Sequence, residues 1–285
     1  METWFIHALL SGIFAWFYSF SSKISAEKNH SSFLVTTYSM LSCATISLIV
    51  YLLTYSTETN FMLLFLVSVI NGLFYFIAII LRIESLKNIT SIMYFPIYKM
   101  LWPVLILIIW ILFFSEKLTY FELFWIFLWI TVPLLLIWKD DKKKQNNLTK
   151  GLILLVISTL FAVLSSASWK IIMINNMNIY LFMFLTSITW TITSYYLYRR
   201  NHKNIDREFW INKLKRTWIL SGVILFFSIY FFTSSTIWNL WVVYTINSFS
   251  ILIPIILSII IYKEHFDFKK SIAIVLTLLS LLFLK

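Results

Sequence analysis

Long apolar runs, separated by short polar connections, make up almost the whole of this chain. Each run has roughly 17–25 residues, the length at which an α-helix crosses a hydrocarbon core of about 30 Å. A helix also satisfies all of its own backbone hydrogen bonds, which lipid cannot do. The sequence therefore predicts ten transmembrane helices. They cover approximately residues 4–22, 33–55, 61–81, 90–114, 119–138, 151–174, 179–198, 217–236, 240–262 and 268–284.

The composition excludes a soluble protein. Of the 285 residues, 60% are hydrophobic and only 12% are charged, and the mean hydropathy is +0.86. The connections leave no room for a soluble domain, and the first run lacks the features of a cleavable signal peptide, so we expect it to be retained. The single cysteine, Cys43, allows no intrachain disulfide. We expect an all-α, multi-pass protein of the plasma (inner) membrane.

The basic residues predict an orientation. Of the 23 lysines and arginines, 19 fall in one set of alternating loops, including Arg82 and Lys87 after the third span, the loop 139–150 and the loop 199–216. Because cytoplasmic loops retain such residues, these loops are predicted to be cytoplasmic and both termini to lie outside. The basic residues that give the net charge of +11 are then explained by their cytoplasmic location and by contact with lipid headgroups. No nucleic-acid partner is expected.

An internal repeat divides the chain. "SGIFAWFYSFSSK" (11–23) and "STLFAVLSSASWK" (158–170) are identical at six of thirteen positions, at an offset of 147 residues. Gly72 and Gly222 lie 150 residues apart, and Glu116 and Glu264 lie 148 apart.

The predicted halves are a first five-helix repeat (1–138), a basic linker loop (139–150) and a second repeat (151–285). Five helices per repeat place the second copy upside down in the membrane, an arrangement common in secondary transporters. The alternative is an old duplication retained for packing alone.

Residues 71–136 resemble the third to fifth helices of the EamA-like drug/metabolite transporters. The resemblance rests on Pro103 followed by "SEKL" (115–118), and the second half repeats it less faithfully with Pro254 and "KEHF" (263–266). The resemblance implies ten helices, transport activity and cytoplasmic termini. On the last point it disagrees with the charge distribution, which we follow.

Lys99 is the most unusual predicted intramembrane residue. It lies about nine residues, or roughly 13 Å, inside the fourth span. An ammonium group facing lipid there is costly, so we expect Lys99 to face a cavity or a structural partner such as Glu84. Pro96 and Pro103 free backbone carbonyls in the same span, which is tolerated where a helix lines a cavity.

Other polar and aromatic residues are predicted to share this cavity with Lys99. Several are spaced by three or four residues and so lie on one helix face. Asn247 is also the position equivalent to Lys99, at an offset of 148. The candidates are Asn71 and Tyr75; Tyr94 and Tyr98; Tyr244, Asn247 and Ser248; and Trp16.

These features favour a transporter or facilitator that moves a small organic metabolite, anionic or amino-acid-like, by alternating access. All twelve acidic residues fall in loops or within about a turn of a span end, which favours exchange or passage down the solute's own gradient. Motifs of hydrolases and metalloenzymes are missing, so we expect no catalytic residues, metal or cofactor. The alternative is a flippase of a lipid-linked sugar. A monomer and a homodimer both remain open.

The orientation can be tested by thiol labelling in intact cells, with Cys43 replaced. A cysteine at Asn204, in the loop 199–216, should be protected from an impermeant reagent, whereas one at Glu58 should react. Labelling at position 204 without permeabilisation would reverse the orientation.

Overall fold

In the residues that it describes, the computed structural model of the chain contains six long helices. It describes residues 3–27, 30–54, 60–89, 147–201 and 212–236, together with positions 94–95, 97–98, 101–102, 104–106, 108, 124, 243, 246–247 and 275. Within these residues there is no β-strand. The helices are α1 (Thr3–Glu27), α2 (Ser32–Leu53), α3 (Phe61–Asn88), α4 (Leu148–Ile174), α5 (Ile179–Asn201) and α6 (Asn212–Ser235).

These helices coincide with the first three predicted spans and with the sixth to eighth. The fourth, fifth, ninth and tenth spans lie mostly outside the described residues. Asparagine side chains define three of the helix starts, because their oxygens accept hydrogen bonds from backbone N–H groups that have no partner within the helix. The Asn60 oxygen accepts from Leu63 N at 3.2 Å, and Asn178 accepts from Leu181 N at 3.0 Å. Asn147 caps α4 in the same way.

Five of these helices are long and apolar enough to cross a membrane: α1, α2, α3, α4 and the part of α6 from Thr217. Large apolar side chains cover their outer surfaces, as at Leu53, which is 80% exposed. The protein is therefore an all-α membrane protein. α5 also matches a predicted span but is less apolar, because serine and threonine residues occupy much of its length. Most of their hydroxyls bond to carbonyls of the same helix, as Thr193 does to Thr189 O at 2.8 Å.

α3 extends further than its predicted span. The apolar run ends at residue 81, but the helix continues to Asn88 and buries Arg82, Ile83 and Ser85. Ser85 Oγ donates to the Gly151 carbonyl at 2.7 Å, which joins the end of α3 to α4. The placement of Arg82 in a loop was therefore wrong, because tertiary packing continues the helix past the first charged residue.

Two close helix approaches occur at Gly72 and Gly222. Gly72 of α3 faces Thr186 and Thr189 of α5, and a Cβ atom at Gly72 would lie 2.8 Å from the Thr186 carbonyl oxygen. Gly222 of α6 faces Ser39 and Ser42 of α2, and a Cβ atom there would overlap the Ser39 carbonyl oxygen. Small residues of this kind let helix backbones approach closely where lipid gives no hydrophobic drive for association.

Gly222→Ala should destabilise the protein by about 1–3 kcal/mol, because the added methyl group meets backbone rather than a movable side chain. A fall of the melting temperature in detergent would show it. Leu220→Ala, at a 59% exposed position on the same helix, is the matched control and should have a smaller effect. Equal melting temperatures for Gly222→Ala and wild type would contradict the tight crossing.

Candidate functional site

A small cavity lies between α3 and α5, with single residues of α2, α4 and α6 completing its wall. Its free volume is about 10 Å³, and in that measure a single water molecule needs roughly 10–15 Å³. The structure is thus closed around a space for about one water molecule. The wall consists of Met40, Asn71, Tyr75, Trp169, Phe182, Met183, Thr186, Ser187, Trp190 and Ile229.

Asn71 joins three helices at this cavity. Its amide oxygen accepts a hydrogen bond from Ser165 Oγ of α4 at 2.5 Å, and its amide nitrogen donates to Thr186 Oγ1 of α5 at 3.3 Å. Thr186 Oγ1 in turn donates to the Ser68 carbonyl of α3 at 3.3 Å. Asn71 is only 1% exposed, so this network satisfies polar groups that water does not reach.

Tyr75 lies one turn beyond Asn71, between two tryptophans. Its ring makes edge-to-face contacts with Trp169 and Trp190, with centroids 5.7 and 4.9 Å away. The indole N–H groups of both tryptophans are buried and make no hydrogen bond among the described residues. Buried donors without acceptors are costly and uncommon in native proteins, so a cavity that holds two of them suits a ligand with acceptor oxygens.

A second group of polar residues surrounds Arg82 on the same helix. Arg82 is 4% exposed, its Nη2 donates to the Tyr98 hydroxyl, and its guanidinium carbon lies 4.6 Å from the Tyr98 ring centroid. Tyr94 stacks on Tyr98 at 5.7 Å between centroids. The Tyr94 hydroxyl lies near Arg82 but, like Arg82 Nε, forms no hydrogen bond of regular geometry. Tyr18 of α1 and Tyr75 lie within electrostatic range of the same guanidinium.

The structure therefore brings four of the predicted site residues into two groups on one face of α3. Asn71 and Tyr75 line the cavity, and Tyr94 and Tyr98 surround Arg82. Sequence reasoning missed Arg82. Its helical spacing could have revealed it, because residues 71, 75, 78 and 82 recur at the i, i+4, i+7 and i+11 spacing of a single face.

Asn247 is buried at a different place. Its amide nitrogen donates to Ser11 Oγ of α1 at 2.8 Å, and Ser11 Oγ donates to the Ser228 carbonyl of α6 at 3.0 Å. Trp16 is half-buried and stacks on Phe20, a 40% exposed residue of the outer surface. Neither Asn247 nor Trp16 therefore lines the cavity. Lys99, Tyr244 and Ser248 lie outside the described residues.

Two other predicted charge positions have structural partners. Lys170, the last residue of the repeated segment 158–170, is buried, and its ammonium donates to the Thr236 carbonyl at the end of α6, at 3.2 Å. A cation at this place complements the carbonyl end of the helix dipole. Glu84 pairs with Lys87 at 2.9 Å and accepts from Ser32 Oγ at 3.0 Å. No group of three potential metal ligands occurs in the part of the chain that the structure describes.

Comparisons with known proteins support the fold alone. No family model and no curated protein matches the sequence. Among solved structures, one described as "Crystal structure of protein" is similar to 97% of this chain and 95% of its own, with a TM-score of 0.69 and 14% sequence identity. At this identity the similarity concerns the arrangement of helices and carries no information about activity.

The Asn71 network should contribute measurably to stability. Asn71→Leu should lower the free energy of unfolding by about 1–3 kcal/mol, because the Ser165 and Thr186 hydroxyls lose a buried partner. Melting temperatures of Asn71→Leu, Ser165→Ala and the double variant form a double-mutant cycle. We expect the double variant to be less destabilised than the sum of the single variants, since both remove the same bond. If the two destabilisations were strictly additive, the Asn71–Ser165 hydrogen bond would contribute nothing to stability.

Proposed function

We propose that this protein is a secondary transporter or facilitator that moves a small organic metabolite across the membrane by alternating access. In this proposal ten helices form two inverted five-helix repeats of the EamA-like type, and the cavity between the repeats binds the solute. The observation that carries the proposal is the pair of matching glycine crossings beside that cavity. Each crossing joins one half of the chain to the other.

The two crossings correspond under the repeat to within one helical turn. Thr186 and Thr189 lie 147 residues after Ser39 and Ser42, respectively. Gly72, which contacts the threonines, and Gly222, which contacts the serines, lie 150 residues apart. Exchanging the two halves therefore brings one contact onto the other to within about one helical turn, which supports a two-fold axis between inverted repeats.

The packing of whole helices supports the same symmetry. The most extensive contacts join α3 to α4, α2 to α5 and α1 to α6. If α1, α2 and α3 correspond to α4, α5 and α6, the exchange of halves converts the α1–α6 pair into the α4–α3 pair. The α2–α5 pair is converted into itself. The next contacts, α2 with α6 and α3 with α5, also exchange with each other.

The position of the cavity, between residues of both halves, supports this proposal. Met40, Asn71 and Tyr75 come from the first half, and the remaining wall residues come from the second. Because the cavity has room for about one water molecule, we assign the structure to an occluded arrangement. A solute would enter after the two halves rotate apart on one side of the membrane.

The chemistry of the wall favours a solute that carries both apolar and acceptor groups. Four of the ten wall residues are aromatic, and the Trp169 and Trp190 indoles and the Asn71 amide add polar groups. Lys99 as the site of an anionic group remains part of this proposal. The alternative of a lipid flippase has no support among the described residues.

Transport can be tested in proteoliposomes with labelled amino acids, nucleotides and a lipid-linked sugar. We expect saturable counterflow of a small solute that persists when an ionophore collapses the proton gradient. Ser187→Leu, which fills the cavity, should reduce the rate at least tenfold. Ile192→Leu, at a 63% exposed position on the same helix, should transport as wild type does.

Melting temperatures of both variants establish that they are folded. Movement of the lipid-linked sugar alone would replace the proposal by the flippase alternative. Loss of uptake with the proton gradient would contradict transport along the solute's own gradient. Normal counterflow by folded Ser187→Leu would exclude this cavity as the transport site.

A further inference from the structure

Arg82 is a buried cation without a counter-charge among the described residues. Glu84, two residues further along α3, is engaged by Lys87 at 2.9 Å and by Ser32 at 3.0 Å. The groups that act electrostatically on the Arg82 guanidinium are tyrosine phenols: Tyr98, which contacts it, and Tyr94, Tyr75 and Tyr18, which lie within electrostatic range. A guanidinium stays protonated in proteins, so burial does not remove this charge.

The surrounding tyrosines compensate for the charge only in part. The Tyr98 ring offers a cation–π contact and its hydroxyl one hydrogen bond. Arg82 Nε remains buried without a hydrogen bond, and the Tyr94 hydroxyl, which lies near Ser158 and Arg82, forms none of regular geometry. An arginine with a purely structural role normally has its carboxylate or carbonyl partners in place, because a buried charge without them is strongly unfavourable. Charged residues inside membrane proteins with such surroundings commonly belong to a substrate or ion pathway.

We infer that Arg82, Tyr94 and Tyr98 bind the oxyanion group, a carboxylate or a phosphate, of the transported solute. The inference rests on the proposed function, which provides the route by which a solute reaches this part of the bundle. The free Nε edge of the guanidinium suits a carboxylate or phosphate, since these groups accept two parallel N–H donors from arginine. The Tyr94 hydroxyl provides a further donor beside it.

The position of Arg82 relates this anion site to the cavity. Tyr75 and Asn71 precede Arg82 by seven and eleven residues on the same face of α3, which corresponds to about 10 and 16 Å along the helix. If the anionic group of an extended solute binds at Arg82, the rest of the solute can lie along this face of α3 and reach the cavity. The solute class is an organic anion with an apolar or hydrogen-bonding body.

The test measures anion binding and stability on the same purified protein. Binding constants and melting temperatures are determined with glutamate and glutamine, with glucose 6-phosphate and glucose, and with inorganic phosphate. The variants are Arg82→Gln and Arg82→Lys. Lys87→Gln is the matched control, because it removes a cation from the same helix in a partly exposed ion pair. Lys99→Gln is measured alongside, to separate the contributions of two cations.

We expect at least one anion to bind wild type more tightly than its neutral analogue does. Its Kd should rise at least tenfold in Arg82→Gln, rise less in Arg82→Lys and stay unchanged in Lys87→Gln. The melting temperature of ligand-free Arg82→Gln should equal or exceed that of wild type, because the substitution removes an uncompensated buried charge. The glutamate and glucose 6-phosphate arms show whether the oxyanion is a carboxylate or a phosphate.

The inference is overturned if no anion binds wild type more tightly than it binds Arg82→Gln. It is also overturned if Arg82→Gln loses stability while anion affinity persists, or if only Lys99→Gln loses anion affinity. Transport of neutral solutes without any dependence on Arg82 would remove this inference and leave the proposed function intact. Arg82-dependent anion binding without any transport would contradict the proposed function and leave Arg82 as an anion-binding residue whose ligand is not transported.

Discussion

Close approach between helix backbones is the constraint on which the rest of this structure depends. In a bilayer, burying an apolar side chain between helices gains little over leaving it in lipid, so association relies on packing and on hydrogen bonds between helices. Gly72 and Gly222 allow α3 to approach α5 and α6 to approach α2. At the first of these crossings Asn71 comes within reach of both Thr186 and Ser165. The polar network and the cavity follow from this approach.

The hydropathy pattern predicted the described helices. It did not predict where α3 ends or what the last turns of the helices contact. A window of apolar residues stops at the first charge, and α3 accordingly was expected to end at residue 81. The helix continues because Ile83 and Ser85 are buried against other helices, and Arg82 is carried into the bundle with them. Lys170 shows the same limit. Its position at the end of an apolar run gives no sign that the carbonyl end of α6 lies beside it.

The site was predictable to the extent that it depends on helical spacing. Asn71 and Tyr75 share a face by virtue of their i, i+4 separation, and the same is true of Tyr94 and Tyr98. The partners of these residues come from distant parts of the sequence, such as Ser165 and Thr186 for Asn71. In a chain with 13 tryptophans, spacing also does not distinguish Trp190 at the cavity from Trp16 on the outer surface. That distinction requires the tertiary arrangement.

The hydroxyl groups inside the bundle have a consequence for how easily its helices exchange neighbours. Many serine and threonine side chains donate to the carbonyl one turn earlier in their own helix, as Ser68 does to Leu64 at 2.7 Å and Ser47 to Cys43 at 2.8 Å. Such bonds travel with the helix as a rigid unit. A helix that slides or rotates against its neighbour keeps these bonds. Such a movement breaks only the hydroxyl bonds that join different helices, such as Ser11 to Ser228 and Ser85 to Gly151.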